Sequence, residues 1–595
     1  MAFDVVASTF KLKEKKRSPL ERTVLTGLIY GTVTLYFSLV GIVRLFNERW
    51  IIADVLTLGQ GVLLVAAAVA GYRAVLKTPY HTIPGKLAQG AAAGAIAAAV
   101  LAALVIFASL VKIRFMFVAA HPQLFKMLTM DQGTWEGSAL MVLVGAAMGL
   151  AGALLYIVPE VLRRPLIFGL AAAGLIGLFQ ELMQSMLQAE GVASTIREFF
   201  FTFDGLKTWP ALLIFVVAVL CRAYWLSNRE GYHRRYQALE PSRQRAVRLG
   251  AAALGLLFLI LLPIFTGQFI GQVLMIVGLF ILMGMGLNLE IGLAGLLDLG
   301  FVAFYAIGAY TVALLTAVHP QALADWSFWA ALPMAIFTTL VAGVLFGVPV
   351  LRIRGDYLAV ATLGLGEIIR ILVLSDAMAW LLGGSQGILN IPKPQIGDLT
   401  LSDPTDLFYL TLVCAGFVAY CAWRLENSRL GRAWTAVRDD EDVAEALGIN
   451  LVNVKLLAYG LGAAFAGTAG AIFAVMLGSV FPHSFQLLIS INILALIIVG
   501  GMGSLPGVVV GAFALMGTPE MLREFGEFRF LFYGVALVAM MRFRPQGLWP
   551  SAARRRETAH DAEDEAVLAA AAAAGELATT SSAGLHHRPA GESGS

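Results

Sequence analysis

Apolar runs of about eighteen residues or more recur along this chain, each long enough to cross a hydrocarbon core of roughly 30 Å. Charged residues collect in the short stretches between them. In lipid every backbone polar group needs an internal partner, so runs of this length predict helices. The ten-residue alternation of a membrane barrel is not seen. About sixteen spans are expected. Six fall near residues 23–43, 51–71, 88–111, 138–158, 165–187 and 210–226. Ten follow near 249–268, 271–288, 299–318, 329–350, 357–382, 406–423, 455–477, 487–500, 507–518 and 530–541. Those around 487–518 are short and interrupted by glycine, which makes one of them a candidate re-entrant segment. The expected fold class is an all-α polytopic membrane protein, with about six helices in an N-terminal part and about ten in a second.

Composition agrees with this pattern. Of 595 residues, 59% are hydrophobic and only 14% are charged, against about 25% charged in soluble domains. The 61 glycines suit membrane helices, where small residues let backbones approach closely. A net charge of +3 gives no footprint for nucleic acid. Cys221, Cys414 and Cys421 lie in or at the ends of apolar runs without a CxxC pair, which suggests neither a disulfide framework nor a zinc site. No small-residue cleavage site follows the basic start, so the first apolar run is expected to be a retained anchor.

Basic residues set the expected orientation. Lys11 to Arg17 places the N-terminus in the cytoplasm. Alternation then puts Arg163 and Arg164, the cluster from Arg229 to Arg248, Arg352 and Arg354, the 424–455 segment, and Arg542 and Arg544 on the same side. Both termini are expected in the cytoplasm, with the chain in the cell inner (plasma) membrane. The loop carrying Lys112, Arg114 and Lys126 runs against this bias. The basic stretch Arg222 to Arg248 marks a natural boundary. Residues 1–247 read as a membrane extension and 248–550 as a core. Residues 551–595 read as a disordered or loosely helical cytoplasmic tail, with a weak helical run from Glu557 to Leu577.

The longest informative polar stretch is Arg424 to Lys455. Its middle, Arg438 to Leu447, reads as a short helix stopped by Gly448, which takes a positive φ without strain. Ala433, Val437, Ala444 and Leu447 form an apolar stripe, flanked by Arg432, Arg438, Asp439, Asp440, Glu441 and Glu445. Ala446 completes the turn, and Ile449 and Asn450 lead back to the membrane. Such a ridge suits a groove on a soluble partner; a solvated loop that touches nothing fits the spacing as well. No GxxxxGK[ST] cradle exists for a nucleotide. The chain is therefore not expected to be an ATPase or an enzyme of any kind, and no cofactor or metal of its own is expected.

Charges within the spans are costly. Glu367 and Arg370, three apart, can pair on one helix face or line a pathway. Asp298 stands at a helix start, where a carboxylate caps. Glu290, with Asn288 and Gly292, lies in a glycine-rich break and faces protein or water. The breaks Gly292–Gly300 and Gly500–Gly507 are tolerated only where protein or a water-filled cavity surrounds them. Phe301, Phe304, Tyr305, Gly308 and Tyr310 share the helix after Asp298, for packing or for a pathway. In the extension Gln180, Glu181, Gln184, Ser185 and Gln188 form a polar stripe that should bond to other helices, or make a second binding site or a contact with a partner chain.

Five ordered stretches carry a family resemblance. They are GLNLEIGLAGLLDLGFVAFYAIGAYTVALL (Gly286 to Leu315), RIRGDYLAVATLGLGEIIRIL (Arg352 to Leu372), GGSQGILNIPKP (Gly383 to Pro394), GRAWTAVRDDEDVAEALGINLVNVKLLAYGLGAAFAGTAGAIF (Gly431 to Phe473), and VGGMGSLPGVVVGA with RFRPQGL at the end. Together they resemble LivM-type permeases, one of two membrane subunits of the high-affinity branched-chain amino acid ABC importer. The resemblance covers about residues 250–550 and leaves 1–247 unmatched.

That resemblance implies two ATP-binding subunits that use ATP and Mg, a second homologous permease, and a periplasmic or extracellular substrate-binding protein, all meeting in membrane lipid without nucleic acid. It implies that Arg432, Arg438, Asp439, Asp440, Glu441, Ala444, Glu445, Ala446, Gly448, Ile449 and Asn450 couple to the ATPases. The candidate pathway is Asn288, Glu290, Gly295, Asp298, Phe304, Tyr305, Gly308, Thr362 and Glu367. Urea, short amides or aromatic acids are alternative substrates; an ion-coupled carrier or a membrane scaffold is the rival class.

Overall fold

The computed structural model describes residues 18–551 apart from 78–81, 112, 118, 188–191, 204, 319–322, 354, 527 and 545. Lys11 to Arg17, Lys112, Gln188, Arg354 and the tail from Ala552 lie outside the described residues. The chain divides into two compact units, Met1–Gly267 and Gln268–Ser595.

In the first unit, α1 (Pro19–Val40) opens with a reciprocal cap. Ser18 Oγ accepts from Glu21 N at 3.2 Å and the Glu21 carboxylate accepts from Ser18 N at 3.1 Å. Helices α2 (Leu58–Lys77), α3 (Ile83–Leu110) and, after the short α4 (Pro122–Leu128), α5 (Thr134–Ile157) pack with α1 into a bundle. Its seam is built of small residues. A methyl on Gly149 would overlap the Gly90 carbonyl, so the helices touch backbone to backbone. Gln89, buried in the seam, donates to Thr23 Oγ1 and to the Ala74 carbonyl, both at 3.0 Å. Helix α6 (Glu160–Leu178) packs on α7 (Thr208–Gln237), and α8 (Pro241–Thr266) completes the unit.

Two details differ from expectation. The run expected to cross from residue 51 begins instead as a hairpin, β1 (Trp50–Ile52) against β2 (Leu56–Thr57), with Trp50 opposite Thr57. Aromatic and β-branched residues suit a pleated edge as well as a span. The span expected over 165–187 stops at Leu178 and restarts as the short helix Gln180–Met186. That break turns the polar stripe onto its own unit. Glu181 pairs with Arg49 at 3.6 Å, Gln184 donates to the Thr202 carbonyl at 3.1 Å, and Ser185 bonds back to Leu182. The basic stretch is carried on two helices, because α7 runs on to Gln237 and α8 starts at Pro241.

The second unit is organised around two buried helices, α9 (Gln268–Leu287) and, late in the chain, α16 (Leu451–Leu477). Between them come α10 (Val302–Thr316), α11 (Phe328–Val350), α12 (Asp356–Leu374) and α13 (Pro404–Glu426), then the polar pair α14 (Arg429–Asp439) and α15 (Glu441–Ala446). Helices α10 and α11 pack on α16, and α13 packs on α9. A tight turn joins α17 (Leu487–Gly500) to α18 (Leu505–Ala512), and α19 (Phe528–Phe543) follows.

Thirteen helices among the described residues are long and apolar enough to cross a membrane, and Val302–Thr316 and Leu505–Met521 are shorter apolar helices. With the 16-residue α19, a helix stands at every position where the hydropathy pattern placed a span. The molecule is an all-α polytopic membrane protein.

Candidate functional site

The site forms where α9 loses regular geometry. Residues Asn288–Leu293 widen into a π-helical turn, after which the chain runs irregularly to α10. Widened turns of this kind are frequent at functional positions. Four side chains fix the break by hydrogen bonds. Asn288 Oδ1 accepts from Gly503 N at 2.9 Å, which ties the break to the turn between α17 and α18. Asp298 Oδ1 accepts from Gly300 N at 2.6 Å, Leu299 N donates to Thr362 Oγ1 at 3.0 Å, and Val302 N donates to Ser490 Oγ at 3.0 Å. These are the orphan donors of a helix start, held by α12 and α17 as well as by the local aspartate.

Glu290 is wholly buried within the break. Its carboxyl lies beside Asp298, with the Tyr459 hydroxyl next to both. On α16, Gly462 leaves the space that the carboxyl fills. Among the described residues no three His, Cys, Asp or Glu side chains gather as metal ligands do.

The polar segment folds against this break. It is two helices rather than one, because Asp440 leaves helical geometry and its carboxylate caps α15, accepting from Asp442 N and Val443 N at 3.0 Å. This redistributes the expected apolar stripe. Val437 and Ala444 turn inward with Trp434, which is fully buried and donates from Nε1 to the Val454 carbonyl at 2.8 Å. Leu447 and Val443 turn outward, 76% and 55% exposed. Lys455, buried at the start of α16, pairs with Glu441 at 2.6 Å. Gly448 takes a φ of +86°, and Asn450 Oδ1 caps α16 by accepting from Asn453 N at 3.1 Å. Arg432, Asp439, Glu445 and Ala446 are exposed, and Ile449 N bonds back to the Ala444 carbonyl at 3.1 Å.

One side chain joins the two parts. Arg438, the penultimate residue of α14, donates from Nη1 to the Gly292 carbonyl in the π turn at 2.8 Å. Its Nε and Nη2 donate to Asp439 Oδ1 at 3.2 and 3.0 Å. Gly295, with a φ of +74°, lies under the same side chain, and Gly503 flanks it.

The residues read as a candidate pathway are placed unevenly. Asn288, Glu290, Asp298, Phe304, Tyr305, Gly308 and Thr362 are all buried inside this subunit. Phe304 meets Tyr459 edge to face at 5.3 Å, Tyr305 lies between Phe473 and Phe485, and a methyl on Gly308 would overlap the Gly467 carbonyl. Only Gly295 and Glu367 are open to the outside. Glu367 is ion-paired with Arg370 on α12, with Oε2 accepting from Nε at 2.9 Å. Sequence reasoning passed over Trp434, Tyr459, Lys455 and Ser490. A lone tryptophan within a polar stretch was the one available signal.

Comparison with known proteins bears on the same residues. Residues 269–542 match the family model described as branched-chain amino acid transport system / permease component. The high-affinity branched-chain amino acid transport system permease protein LivM of Salmonella typhimurium is 42% identical over 295 residues, which is 46% of this chain and 68% of that protein. The chain belongs to this permease family. LivM of Escherichia coli K12 matches to the same extent. An autoinducer 2 import system permease protein, LsrC of Escherichia coli, is 27% identical over 203 residues, covering 32% of this chain and 56% of its own. No solved structure matches the permease. The family match begins at the second residue of the second unit, so the π turn, Arg438 and both polar helices all lie within it.

Proposed function

We propose that this permease is the membrane-spanning subunit of an ATP-driven importer for branched-chain amino acids, worked through the α14–α15 segment by ATP-binding subunits that are separate chains. The names of its LivM relatives support the substrate class. Two ATPases would seat the outward Leu447 and Val443 and the surrounding charges. A second, homologous permease would complete the pathway, and a binding protein would deliver substrate. The chain sits in the inner membrane with both termini in the cytoplasm. ATP and Mg belong to the partners.

The hydrogen bond from Arg438 to the Gly292 carbonyl carries this reading. A push on α14 reaches the break in α9 through it, and from the break Asn288 reaches the α17–α18 turn. With seven of the nine candidate pathway residues packed inside the subunit, the break acts here as a movable joint. The translocation path then runs along an outer face of the unit, with Glu367 on the α12 side, where the second permease closes it.

Co-reconstitution into proteoliposomes with the ATPases, the second permease and the binding protein tests the class. Leucine uptake that requires ATP and survives collapse of ion gradients is the expected result. Uptake driven by a sodium or proton gradient without ATP contradicts it.

A further inference from the structure

The unit outside the family match contains a cavity of about 740 Å³ where α3 ends and α4 begins. Val105, Ala108, Ile113 and Phe125 are among its apolar lining residues, and Arg114, Lys126 and Gln132 among its polar ones. A volume of this order accommodates a ligand of a few hundred daltons. Neither Arg114 nor Lys126 has an ion-pair partner among the described residues. The carboxylates in the adjoining turn and helix, Asp131 and Glu136, are exposed.

Beside the cavity, Phe115, Met116 and Trp135 project outward, 91%, 81% and 73% exposed. A tryptophan at the end of a membrane helix belongs at the lipid headgroup level. His121, at the start of α4, is held below the usual imidazole range by desolvation and by the nearby guanidiniums of Arg44 and Arg114. Its Nδ1 accepts from Gln123 N at 3.3 Å. Arg114 and Lys126 are the arginine and lysine side chains in the cavity lining. This is also the loop whose basic residues break the charge bias of the topology, and a bound anion would offset them.

We propose that this cavity binds an acidic phospholipid, with the phosphodiester between Arg114 and Lys126 and an acyl chain along Val105, Ala108, Ile113 and Phe125. A guanidinium presents two parallel donors to two phosphate oxygens, and the ammonium adds a second charge. The apolar lining distinguishes a lipid from a free phosphate.

The test uses the full chain, purified in neutral detergent and exchanged into nanodiscs of phosphatidylcholine with a minor fraction of phosphatidylglycerol. Lipid retained on re-extraction is measured by mass spectrometry. Phosphatidylglycerol should be enriched over phosphatidylcholine. Each basic side chain contributes about fivefold near an anionic surface, so Arg114→Gln with Lys126→Gln should reduce retention roughly thirty-fold. The charge-keeping exchange Arg114→Lys with Lys126→Arg should restore most of it, and an unchanged melting temperature in neutral detergent establishes that the variants fold. Equal enrichment in wild type and double glutamine variant overturns the proposal. So does displacement of the lipid by millimolar inorganic phosphate, which would identify a free-anion site.

Discussion

Arg438 and Gly292 lie 146 residues apart in sequence, yet the guanidinium of one bonds the carbonyl of the other at 2.8 Å. The pair joins a polar, partly exposed segment to the π-helical turn that follows α9. It places a charge-assisted hydrogen bond, stronger than a neutral one, where motion of the segment would change the shape of a membrane helix.

Trp434 keeps that segment seated. It is fully buried and bonded to the Val454 carbonyl, with the Glu441–Lys455 pair close by in sequence. Trp434→Ala should destabilise the second unit by about 3–5 kcal/mol, the usual cost of removing a buried aromatic. Thermal unfolding in detergent measures this. Hydrogen exchange should rise first in residues 429–450; a uniform rise across the unit would place the tryptophan in a general core rather than in the seat of this segment.

Gly308 separates packing from pathway. A methyl there meets the Gly467 backbone, so Gly308→Ala should cost about 1–3 kcal/mol through overpacking. The melting temperature should fall in the absence of substrate. A variant with normal stability but altered substrate selectivity would assign Gly308 to the path instead.

Much of the architecture was legible because a membrane span is a length rule, and each long apolar run became a helix. The rule misleads where an apolar run is not helical from its start, as at Trp50–Thr57, or where it bends, as at Phe179. The split at Asp440 had a local signal, an aspartate ahead of Glu441 and Asp442 at a helix start, but the apolar residues on either side suggested one continuous ridge. The surroundings of Gly308 and Thr362 were out of reach, since a small or polar residue on a membrane helix reads the same whether it faces a neighbouring backbone or a water-filled path. The contact between Arg438 and Gly292 was equally hidden. Periodicity reports which residues share a face and says nothing of which distant backbone that face will meet.

Lys393 closes the far end of α16. Its ammonium donates to the Val475 and Met476 carbonyls at 2.7 and 2.8 Å, and burial lowers its pKa below the ordinary lysine value. A cation at a helix C-terminus contributes about 0.3–1 kcal/mol, and burial of the ammonium opposes that gain, so at neutral pH Lys393→Met should change the melting temperature little. The pH dependence has a fixed sign. A lysine whose folded pKa is depressed penalises the folded state fully at lower pH, where both states are protonated. That penalty is relieved as pH rises through the folded pKa toward 10.5. Wild type should therefore gain stability relative to Lys393→Met across that alkaline window. A relative loss there would mean that the two carbonyls hold the charge more strongly than burial opposes it.

The most direct measurement is the number of ATP molecules hydrolysed per leucine transported by the reconstituted complex, for wild type, Arg438→Lys and Arg438→Ala. If Arg438 carries motion from α14 to the Gly292 turn, the alanine variant should bind the ATPases and hydrolyse ATP at a near-normal rate while uptake falls by an order of magnitude or more, with lysine intermediate. Uptake and hydrolysis that stay in the wild-type ratio in Arg438→Ala would contradict the account.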